Sequence, residues 1–552
     1  MRRRVDLVVA AALFLATFLA MLLTERAIGF TRDESFYFYA ADLYTPWFFG
    51  LWGALVHGRL LDWFSDANLQ RHFWYNTEHP ILMKSLFGLS HWLFTEKLSL
   101  LRPAAGYRAP AWAVSGMISA LLYLFGLELG RQPPEPSEGR GRLVGLLAAA
   151  LFWLAPRHFY HGHLACFDMP ITGLWLLVVY AYWRGFSSRR WAALSGVAYG
   201  LALATKLNSF FYPAALLFHW AVAIAPRAFR EGRWRGVARS LPAQWGFMAA
   251  IGPVIFLLHW PWLWPHPIER IGAYLAFHAQ HVNYPWYYLG TLLREPPFPL
   301  AYVVVVTALT IPISLFVPIA LGTLRALARL PRRGEGRLGS LPALLLANGL
   351  MPILLISWPT VPHFGGIKHW MPGLPYLSLF GAEALISAAA TLAVWLRRPA
   401  LERPLLAGLS ALCLAPALVG CVHIEGYGEC FYNELAGGEA GAAQLGMQRQ
   451  YWSNDVSGVL PWLNENAPPR ARVYFHEVTV GSYQAYRLNG MLRPDIQYVQ
   501  GPQQAGLVPY QYMQEFRDQE YQVWNAFGTN RPADGLYLDE SPNITVYRRP
   551  GT

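Results

Sequence analysis

The sequence predicts a polytopic α-helical membrane protein of about eleven transmembrane helices, with a small C-terminal α/β domain outside the cytoplasm. Three observations predict this fold class. Of 552 residues, 54% are hydrophobic and only 14% are charged. Basic residues cluster in short segments between long apolar runs, and such runs are missing from residues 423–552. The 23 tryptophans and 29 tyrosines also suit the aromatic belts found at both membrane interfaces.

The first predicted span covers residues 5–23, close to the roughly 20 apolar residues that cross a bilayer. Three arginines follow Met1 directly, so the positive-inside rule places the N-terminus in the cytoplasm. No small-residue cleavage site precedes Thr24, and further spans follow. We therefore interpret this segment as an anchor rather than a signal peptide.

Ten further spans follow from the hydropathy and from the arginine clusters, which we place in cytoplasmic loops. The net charge of +11 therefore sets the topology and does not indicate binding to nucleic acid. The clusters are 131–142, 184–190, 227–239, 325–337 and 397–403. The spans are about 109–129, 143–154, 171–182, 191–204, 210–224, 245–258, 302–324, 341–356, 374–395 and 405–422.

A second domain, residues 423–552, follows the transmembrane domain of residues 1–422. Its apolar runs shrink to strand length at 471–475 and 543–547, and a helical segment lies at 482–487. Short strands that alternate with helical segments predict a small α/β domain, which the number of spans places on the outer side. Near its start, Cys421 and Cys430 are either disulfide partners, which an oxidising compartment permits, or unpaired small hydrophobic residues.

Polar side chains gather in the loops that this topology places on the outer side. Asp33 and Glu34 emerge directly after the first span, where two adjacent carboxylates near lipid are a functional-site hypothesis. The span centres are nearly free of charge, whereas a transport pathway would place ionisable groups at mid-membrane. Other ionisable residues on outer loops are Glu78, His79, Lys84, Arg157, Asp168, Lys206, His278, His281, Lys368 and His369.

This arrangement suits the transfer of a sugar from a polyprenyl-phosphate lipid to an acceptor hydroxyl. A carboxylate must deprotonate the attacking hydroxyl, and Asp33 can fill that role. Cations must stabilise the departing lipid phosphate, whose charge grows in the transition state. The residues suited to this second role are Lys206, Arg157, His79 and Lys368.

Three features together resemble the GT-C glycosyltransferases: Asp33-Glu34 after the first span, Glu78-His79-Pro80 in the first outer loop, and the eleven-span arrangement. Within that superfamily the chain is similar to family 39, which includes protein O-mannosyltransferases and aminoarabinose (lipid A) transferases. Segments 260–265, 364–370 and 432–435 look like those of bacterial members. The resemblance covers nearly the whole chain.

The resemblance implies that Asp33 is the catalytic carboxylate and that Glu34 supports it. It also implies that Glu78 faces the donor phosphate or a metal, and that Lys206 lies near the phosphate. His79 stands where lysine is common in the family, and imidazole is only partly charged near neutral pH. The predicted donor-binding set is Glu78, His79, Arg157, Lys206, Lys368 and His369.

The chemistry requires no cofactor, but a divalent metal ion stays open as a prediction. The histidine-rich loop offers His278 and His281 as ligands beside Glu78, without a fixed ligand spacing.

The predicted function is inverting sugar transfer on the outer face of the bacterial cytoplasmic membrane, to a protein, lipid A or another envelope glycan. Inversion follows from a single base and in-line displacement, whereas a retaining path needs a second carboxylate as nucleophile. The expected partners are the lipid-linked donor, a lipid or protein acceptor and membrane lipids. The alternatives are a transporter (flippase) of lipids or lipid-linked sugars, and a non-catalytic assembly protein.

Overall fold

The computed structural model describes residues 2–132, 136–330, 341–512 and 517–551. Each predicted span coincides with a helix, and the span at 302–324 is divided into two. Helices up to the end of the last span are α1 (Arg2–Thr24), α2 (Arg32–Val56), α3 (Leu60–Trp63), α4 (Asp66–Phe73), α5 (Leu82–His91), α6 (Pro103–Gly130), α7 (Glu138–Trp153), α8 (Pro156–His163), α9 (Asp168–Gly185), α10 (Arg189–Leu203), α11 (Pro213–Ala223), α12 (Ala225–Arg239), α13 (Ala243–Leu258), α14 (Pro267–Ala279), α15 (Tyr302–Thr310), α16 (Ile313–Ala328), α17 (Leu341–Ile356), α18 (Leu374–Trp395) and α19 (Glu402–His423).

Among the described residues, five helices are long and apolar enough to cross a membrane. The number is six if α7 and α8, which meet at a bend of 80°, form one broken span. The protein is therefore a membrane protein, while the exact number of eleven spans stays a prediction because several of the helices are shorter. The five are Arg4–Ala27, Pro103–Gly130, Ala225–Leu258, Met371–Trp395 and Pro399–His423.

Helix α6 lies at the centre of the bundle, and small residues let α7 approach it closely. A Cβ atom added at Gly126 of α6 would lie 2.3 Å from the backbone nitrogen of Gly145 in α7. Small residues at such crossings allow the backbone contact that drives helix association in lipid. Trp112 and Phe125 of α6 are buried in the same core.

Ion pairs show that two of the arginine clusters, 131–142 and 184–190, lie at the same end of the bundle. We call this end the arginine end. Asp6, near the start of α1, binds Arg142 at 2.7 Å. Glu128, near the end of α6, binds Arg131 at 2.7 Å and Arg184 at 2.9 Å. The other ends of these helices, including the start of α9, lie at the opposite end of the bundle, the Asp33 end.

The predicted outer loop at 260–299 contains a short antiparallel hairpin that the sequence analysis missed. It consists of β1 (Trp286–Tyr288) and β2 (Thr291–Leu293). Its two-residue turn, Leu289-Gly290, has positive φ at both positions, the geometry that matches the twist of paired strands.

The C-terminal region forms a five-stranded mixed sheet, which confirms the predicted α/β character. The strand order is β4-β3-β5-β7-β6, and β3 pairs in parallel with both β4 and β5, whereas β7 is antiparallel to β5 and β6. The boundary at 422/423 stays a prediction. The remaining elements are α20 (Gly438–Gln444), α21 (Leu460–Asn466), β3 (Arg472–Val473), α22 (Val480–Leu488), β4 (Gln497–Tyr498), β5 (Leu507–Gln511), α23 (Arg517–Phe527), β6 (Asp534–Leu538) and β7 (Ser541–Arg548).

The C-terminal domain packs on the junction between α1 and α2. The Ser482 hydroxyl donates to the Thr31 carbonyl at 3.2 Å, and the Arg32 amide donates to the Trp452 carbonyl at 3.2 Å. The Arg32 side chain pairs with Glu477 at 2.6 Å. The domain therefore sits at the Asp33 end, and it contributes directly to the residues around Asp33.

All four cysteines are unpaired. The Cys421 thiol donates to the Leu154 carbonyl at 3.3 Å, whereas the Cys430 thiol lies 3.1 Å from Asp455. The alternative of unpaired residues is therefore the one that the structure supports.

Candidate active site

Glu34 belongs to the framework of the site. Its carboxylate is fully buried and accepts two hydrogen bonds from Arg108 of α6, at 2.7 and 2.9 Å. It also accepts the amide of Ala165 at 3.0 Å. With Thr31 it forms a capping box at the start of α2, in which each residue bonds the other's backbone. Glu34 thus supports Asp33 by fixing the helix that carries it.

Asp33 points the other way, into the cluster of ionisable side chains. Its carboxylate is 27% exposed and lies 3.3 Å from the ammonium of Lys368. Burial opposes the charge of Lys368, but Asp33 and Asp168 outweigh it, so the pKa of Lys368 is raised. The ammonium also lies 4.6 Å from the ring centroid of Trp452, a cation–π contact from the C-terminal domain.

Two glycines explain how Lys368 reaches Asp33. Gly365 and Gly366 have φ of +81° and +62°, in the left-handed region that L side chains rarely adopt. A Cβ atom at Gly365 would lie 2.5 Å from Cε of Lys368, and one at Gly366 would lie 3.2 Å from the ring of Tyr451. Gly365 therefore makes room for the Lys368 side chain, and Gly366 makes room for the Tyr451 ring.

Lys206 forms the second ion pair of the cluster. Its ammonium donates to Asp168 at 2.5 Å, where Asp168 is the first residue of α9 and Lys206 follows the end of α10. The Lys206 side chain is 16% exposed and that of Asp168 is 8% exposed. Asp168 is thus a member of the cluster that the sequence analysis did not assign to the site.

The Glu78-His79 loop lies against these ion pairs and is held by a buried lysine. Lys84 donates to the carbonyls of Asn76 and His79, at 2.6 and 3.0 Å, and to the Asn76 side chain at 3.0 Å. Burial lowers the pKa of Lys84 to about 7, and nearby Glu78 opposes the shift. The Glu78 carboxylate accepts from the Asn76 amide at 2.8 Å. Lys84 therefore positions both predicted site residues.

His79 is a neutral member of the cluster. Burial, with Lys84, His278, Lys206 and Lys368, lowers its pKa well below the ordinary value. Since neutral imidazole carries one ring N–H, His79 can still donate a hydrogen bond, while Lys206 and Lys368 carry positive charge in the cluster.

His369 is also held neutral. Burial and the same two lysines lower its pKa well below the ordinary value. Its Nε2 lies 2.5 Å from the Phe364 carbonyl, so the ring N–H donates a hydrogen bond to that oxygen. The Phe364 ring in turn stacks on His281 at 5.0 Å, which joins the histidine-rich loop to this side of the site.

Arg157 lies beside the cluster, behind the Tyr451-Trp452 pair. Its Nε donates to the Phe431 carbonyl at 3.1 Å, and its guanidinium lies 4.8 Å from the ring of Tyr432 and 6.0 Å from that of Tyr451. Its Nη2 has no hydrogen-bond partner among the described residues. Arg157 is therefore packed against tyrosine rings of the C-terminal domain.

The predicted metal ligands are near one another without forming a ligand set. His278 contacts the backbone carbonyl of Glu78 at 2.9 Å, and His281 contacts the Val282 carbonyl at 2.7 Å. Over the described ranges, ligand atoms of three such residues come within 4.8 Å of one another only at Glu429, Cys430 and Asp455. Metal dependence of the predicted reaction stays a prediction, and no step below uses a metal.

The structure thus brings together most of the predicted site. Asp33, Lys368, Lys206, His79 and His369 lie in one cluster. Glu78 lies in the adjoining loop, where it binds Asn76, and Glu34 is held by Arg108. Arg157 packs on Tyr432 and Tyr451. Sequence reasoning did not assign Asp168, Lys84, Arg108 or Trp452 to the site. The charges of Lys84, Arg108 and Asp168 in largely apolar surroundings were the available signal, because buried ionisable residues require partners.

The fold of this chain, a bundle of apolar helices with a small C-terminal sheet domain, is shared with solved structures of a bacterial protein. The chain is similar to ArnT from Cupriavidus metallidurans bound to undecaprenyl phosphate, with 14% identity, a TM-score of 0.50, and coverage of 99% of this chain and 98% of that one. The apo state of that ArnT gives a TM-score of 0.51 at the same identity and coverage.

A more distant similarity is to the archaeal oligosaccharyltransferase AglB from Archaeoglobus fulgidus. Its TM-score is 0.44 at 12% identity, over 88% of this chain and 60% of that one. No protein-family model matches the sequence, and no curated protein matches it significantly. The fold is therefore that of ArnT, whereas the chemistry must be argued from the site.

Proposed function

We propose that the protein is a glycosyltransferase that moves a sugar from a polyprenyl-phosphate donor to an acceptor hydroxyl. The observation that carries the proposal is the Asp33–Lys368 pair, an accessible carboxylate beside a buried cation. A second buried pair, Lys206–Asp168, lies in the same cluster. One ArnT structure of this fold holds undecaprenyl phosphate, a lipid whose phosphate two such lysines would bind.

In the proposed reaction, Asp33 takes the proton of the acceptor hydroxyl while the oxygen of that hydroxyl attacks the anomeric carbon of the sugar. The bond between that carbon and the phosphate oxygen breaks, and the lipid phosphate leaves with the bonding electrons. Lys368 and Lys206 stabilise this growing negative charge, and His79 donates a hydrogen bond to it. The Glu78 loop borders the donor.

The proposed stereochemical outcome is inversion. A retaining reaction needs a second carboxylate that can attack the opposite face of the sugar. Glu34 is held by Arg108 and buried, and Asp168 is bound to Lys206. Asp33 is thus the carboxylate best placed to act, and a single base supports one in-line displacement.

The proposed location is the bacterial cytoplasmic membrane, with the Asp33 end and the C-terminal domain on the outer face. Support comes from the arginine end, where basic residues 131, 142 and 184 meet at the start of α1 and the end of α6. The positive-inside rule places such an end in the cytoplasm. The acceptor is a protein, lipid A or another envelope glycan.

The experiment that tests the proposal compares envelope glycolipids and glycoproteins, by mass spectrometry, in cells with and without the protein. Cells that express only Asp33→Asn provide the matched comparison. We expect one sugar modification to be absent from both the deletion and the Asp33→Asn cells. A modification that is intact in the Asp33→Asn cells contradicts a transferase with this base and favours a transporter, which moves its lipid unchanged.

A further inference from the structure

A second cluster of ionisable residues lies apart from the proposed reaction, where the chain leaves α19. Glu429, Cys430 and Asp455 place carboxylate oxygens and a thiol within 4.8 Å of one another. All three residues are at most 1% exposed. Glu429 and Cys430 lie in a 3-10 turn after α19, and Asp455 lies in a second 3-10 turn, 25 residues after Cys430. The cluster therefore joins two turns of the C-terminal domain.

Asn543 of β7 completes the cluster from a third part of the chain. Its amide nitrogen donates to Asp455 at 3.0 Å and lies 3.3 Å from the Cys430 sulfur. The Cys430 thiol donates to the same Asp455 oxygen at 3.1 Å. Asn543 is fully buried, and its amide oxygen has no hydrogen-bond partner among the described residues.

The unpartnered atoms of this cluster are all oxygens. They are the second oxygen of Asp455, the amide oxygen of Asn543 and both oxygens of Glu429, none of which accepts a hydrogen bond of normal geometry among the described residues. The Tyr451 amide lies close enough to Glu429 to favour its charged form, but burial and Asp455 outweigh it. A buried oxygen without a donor costs about 1–3 kcal/mol, and a carboxylate costs more.

A cation removes this cost, whereas protons do so only in part. A divalent ion bound among these groups favours their charged forms and displaces the thiol proton. A half-turn of the Asn543 amide places its oxygen where its nitrogen now lies, facing the same ion.

We propose that Glu429, Cys430, Asp455 and the amide oxygen of Asn543 bind one Zn²⁺ ion. Zinc accepts both thiolate and carboxylate ligands, whereas calcium and magnesium prefer sites made of oxygen alone. Four protein ligands leave no open position, as in structural zinc sites. The ion clamps the exit of α19 to the C-terminal sheet. This site shares no ligand with the Asp33 cluster, and the proposed transfer reaction uses none of its four residues, although Arg157 and Lys368 lie near enough to Glu429 to favour its charged form.

The test measures zinc in the purified full-length protein after equilibration with Zn²⁺ and dialysis against metal-free buffer. We expect about one zinc per chain, and a loss of most of it in Cys430→Ser. Serine keeps a hydrogen-bond donor toward Asp455 but removes the thiolate, so a plain hydrogen-bonded network tolerates this change. Cys421→Ser is the matched control, because the Cys421 thiol donates to the Leu154 carbonyl and is not one of the proposed ligands. This variant should retain zinc.

Two further readouts separate zinc binding from a folding defect. Substitution with Co²⁺ should give a thiolate-to-cobalt absorption band in the parent protein and in Cys421→Ser, but not in Cys430→Ser. A chelator should lower the melting temperature of the parent and leave that of Cys430→Ser unchanged. A parent protein without zinc or the cobalt band overturns the proposal, as does zinc that is fully retained by Cys430→Ser. Selective binding of Ca²⁺ or Mg²⁺ in place of zinc also overturns it.

Discussion

Asp33 and Glu34 are neighbours in sequence with opposite environments. They occupy successive positions at the start of α2, where each residue turns the helix by about 100°, so their side chains leave in different directions. Asp33 meets Lys368 across 335 residues of sequence, and Glu34 meets Arg108 across 74. One carboxylate is available for chemistry because the other fixes the helix.

Asp33→Asn removes the proposed base at nearly constant size and polarity. We expect turnover to fall by roughly 10² or more, with binding of polyprenyl phosphate largely retained, because the asparagine amide cannot take a proton. Single-turnover transfer with purified protein measures the effect. Asp62→Asn, at an exposed carboxylate of α3, is the control and should behave as the parent does. Near-normal turnover of Asp33→Asn would remove Asp33 from the reaction.

Lys206→Ala should slow transfer and weaken binding of polyprenyl phosphate, since the phosphate loses a partly buried cation. It should also lower thermal stability, because Asp168 then lies buried without its partner. Lys206→Arg should restore transfer and phosphate binding only partially, since the planar guanidinium of arginine differs in geometry from the lysine ammonium.

The double variant Lys206→Ala with Asp168→Asn separates the two effects. We expect it to recover thermal stability but not transfer. If transfer recovers together with stability, Lys206 has only a structural role.

At the scale of elements, α2 depends on a buried ion pair. Glu34→Gln leaves Arg108 buried without a charged partner, so we expect a loss of about 3–5 kcal/mol in stability. Thermal unfolding in detergent measures the effect. Glu477→Gln breaks the partly exposed pair with Arg32 and should cost at most about 1 kcal/mol. Equal effects of the two variants would contradict a framework role for Glu34.

The loop that carries Lys368 depends on Gly365. In Gly365→Ala the new methyl group meets Lys368 at a positive φ, so we expect Lys368 to leave Asp33 and transfer to fall by about tenfold or more. Gly272→Ala in α14 meets no atom within 4 Å and has no positive φ, so it should be neutral or slightly stabilising. An unchanged rate of transfer in Gly365→Ala would contradict this prediction, because it would show that Lys368 still reaches Asp33.

The sequence predicted the helices well because an apolar run in a membrane protein is helical whether it faces lipid or protein. It predicted the members of the site less completely. Lys206 and Asp168 are 38 residues apart, and no local pattern reveals that they pair. The neutral state of His79 likewise arises from burial and from lysines that converge only in the folded chain. The hairpin at 286–293 carries a Leu-Gly turn between aromatic and aliphatic residues, which was a usable signal.

At the scale of the whole molecule, the two ends of the bundle should face opposite sides of the membrane. Single cysteines at Thr291 and Thr360, in a chain without its native cysteines, should react with a membrane-impermeant thiol reagent on intact spheroplasts, because both positions are exposed at the Asp33 end. Cysteines at Ser137 and Ser187 should react only after lysis. Labelling of Thr291 but not Thr360 would contradict a single site on one face.

The docking of the C-terminal domain on the junction of α1 and α2 sets an order of events during synthesis. Thr31 leaves the ribosome early, but Ser482, which binds its carbonyl, follows 451 residues later. At about 5–20 residues per second this delay is roughly 20–90 s. Throughout that interval the start of α2, which carries Asp33, lacks its contacts with Trp452 and α22. A nascent chain that is released before the sheet is complete therefore carries Asp33, the proposed base, but lacks Trp452 and α22, which pack around the start of α2 in the finished protein.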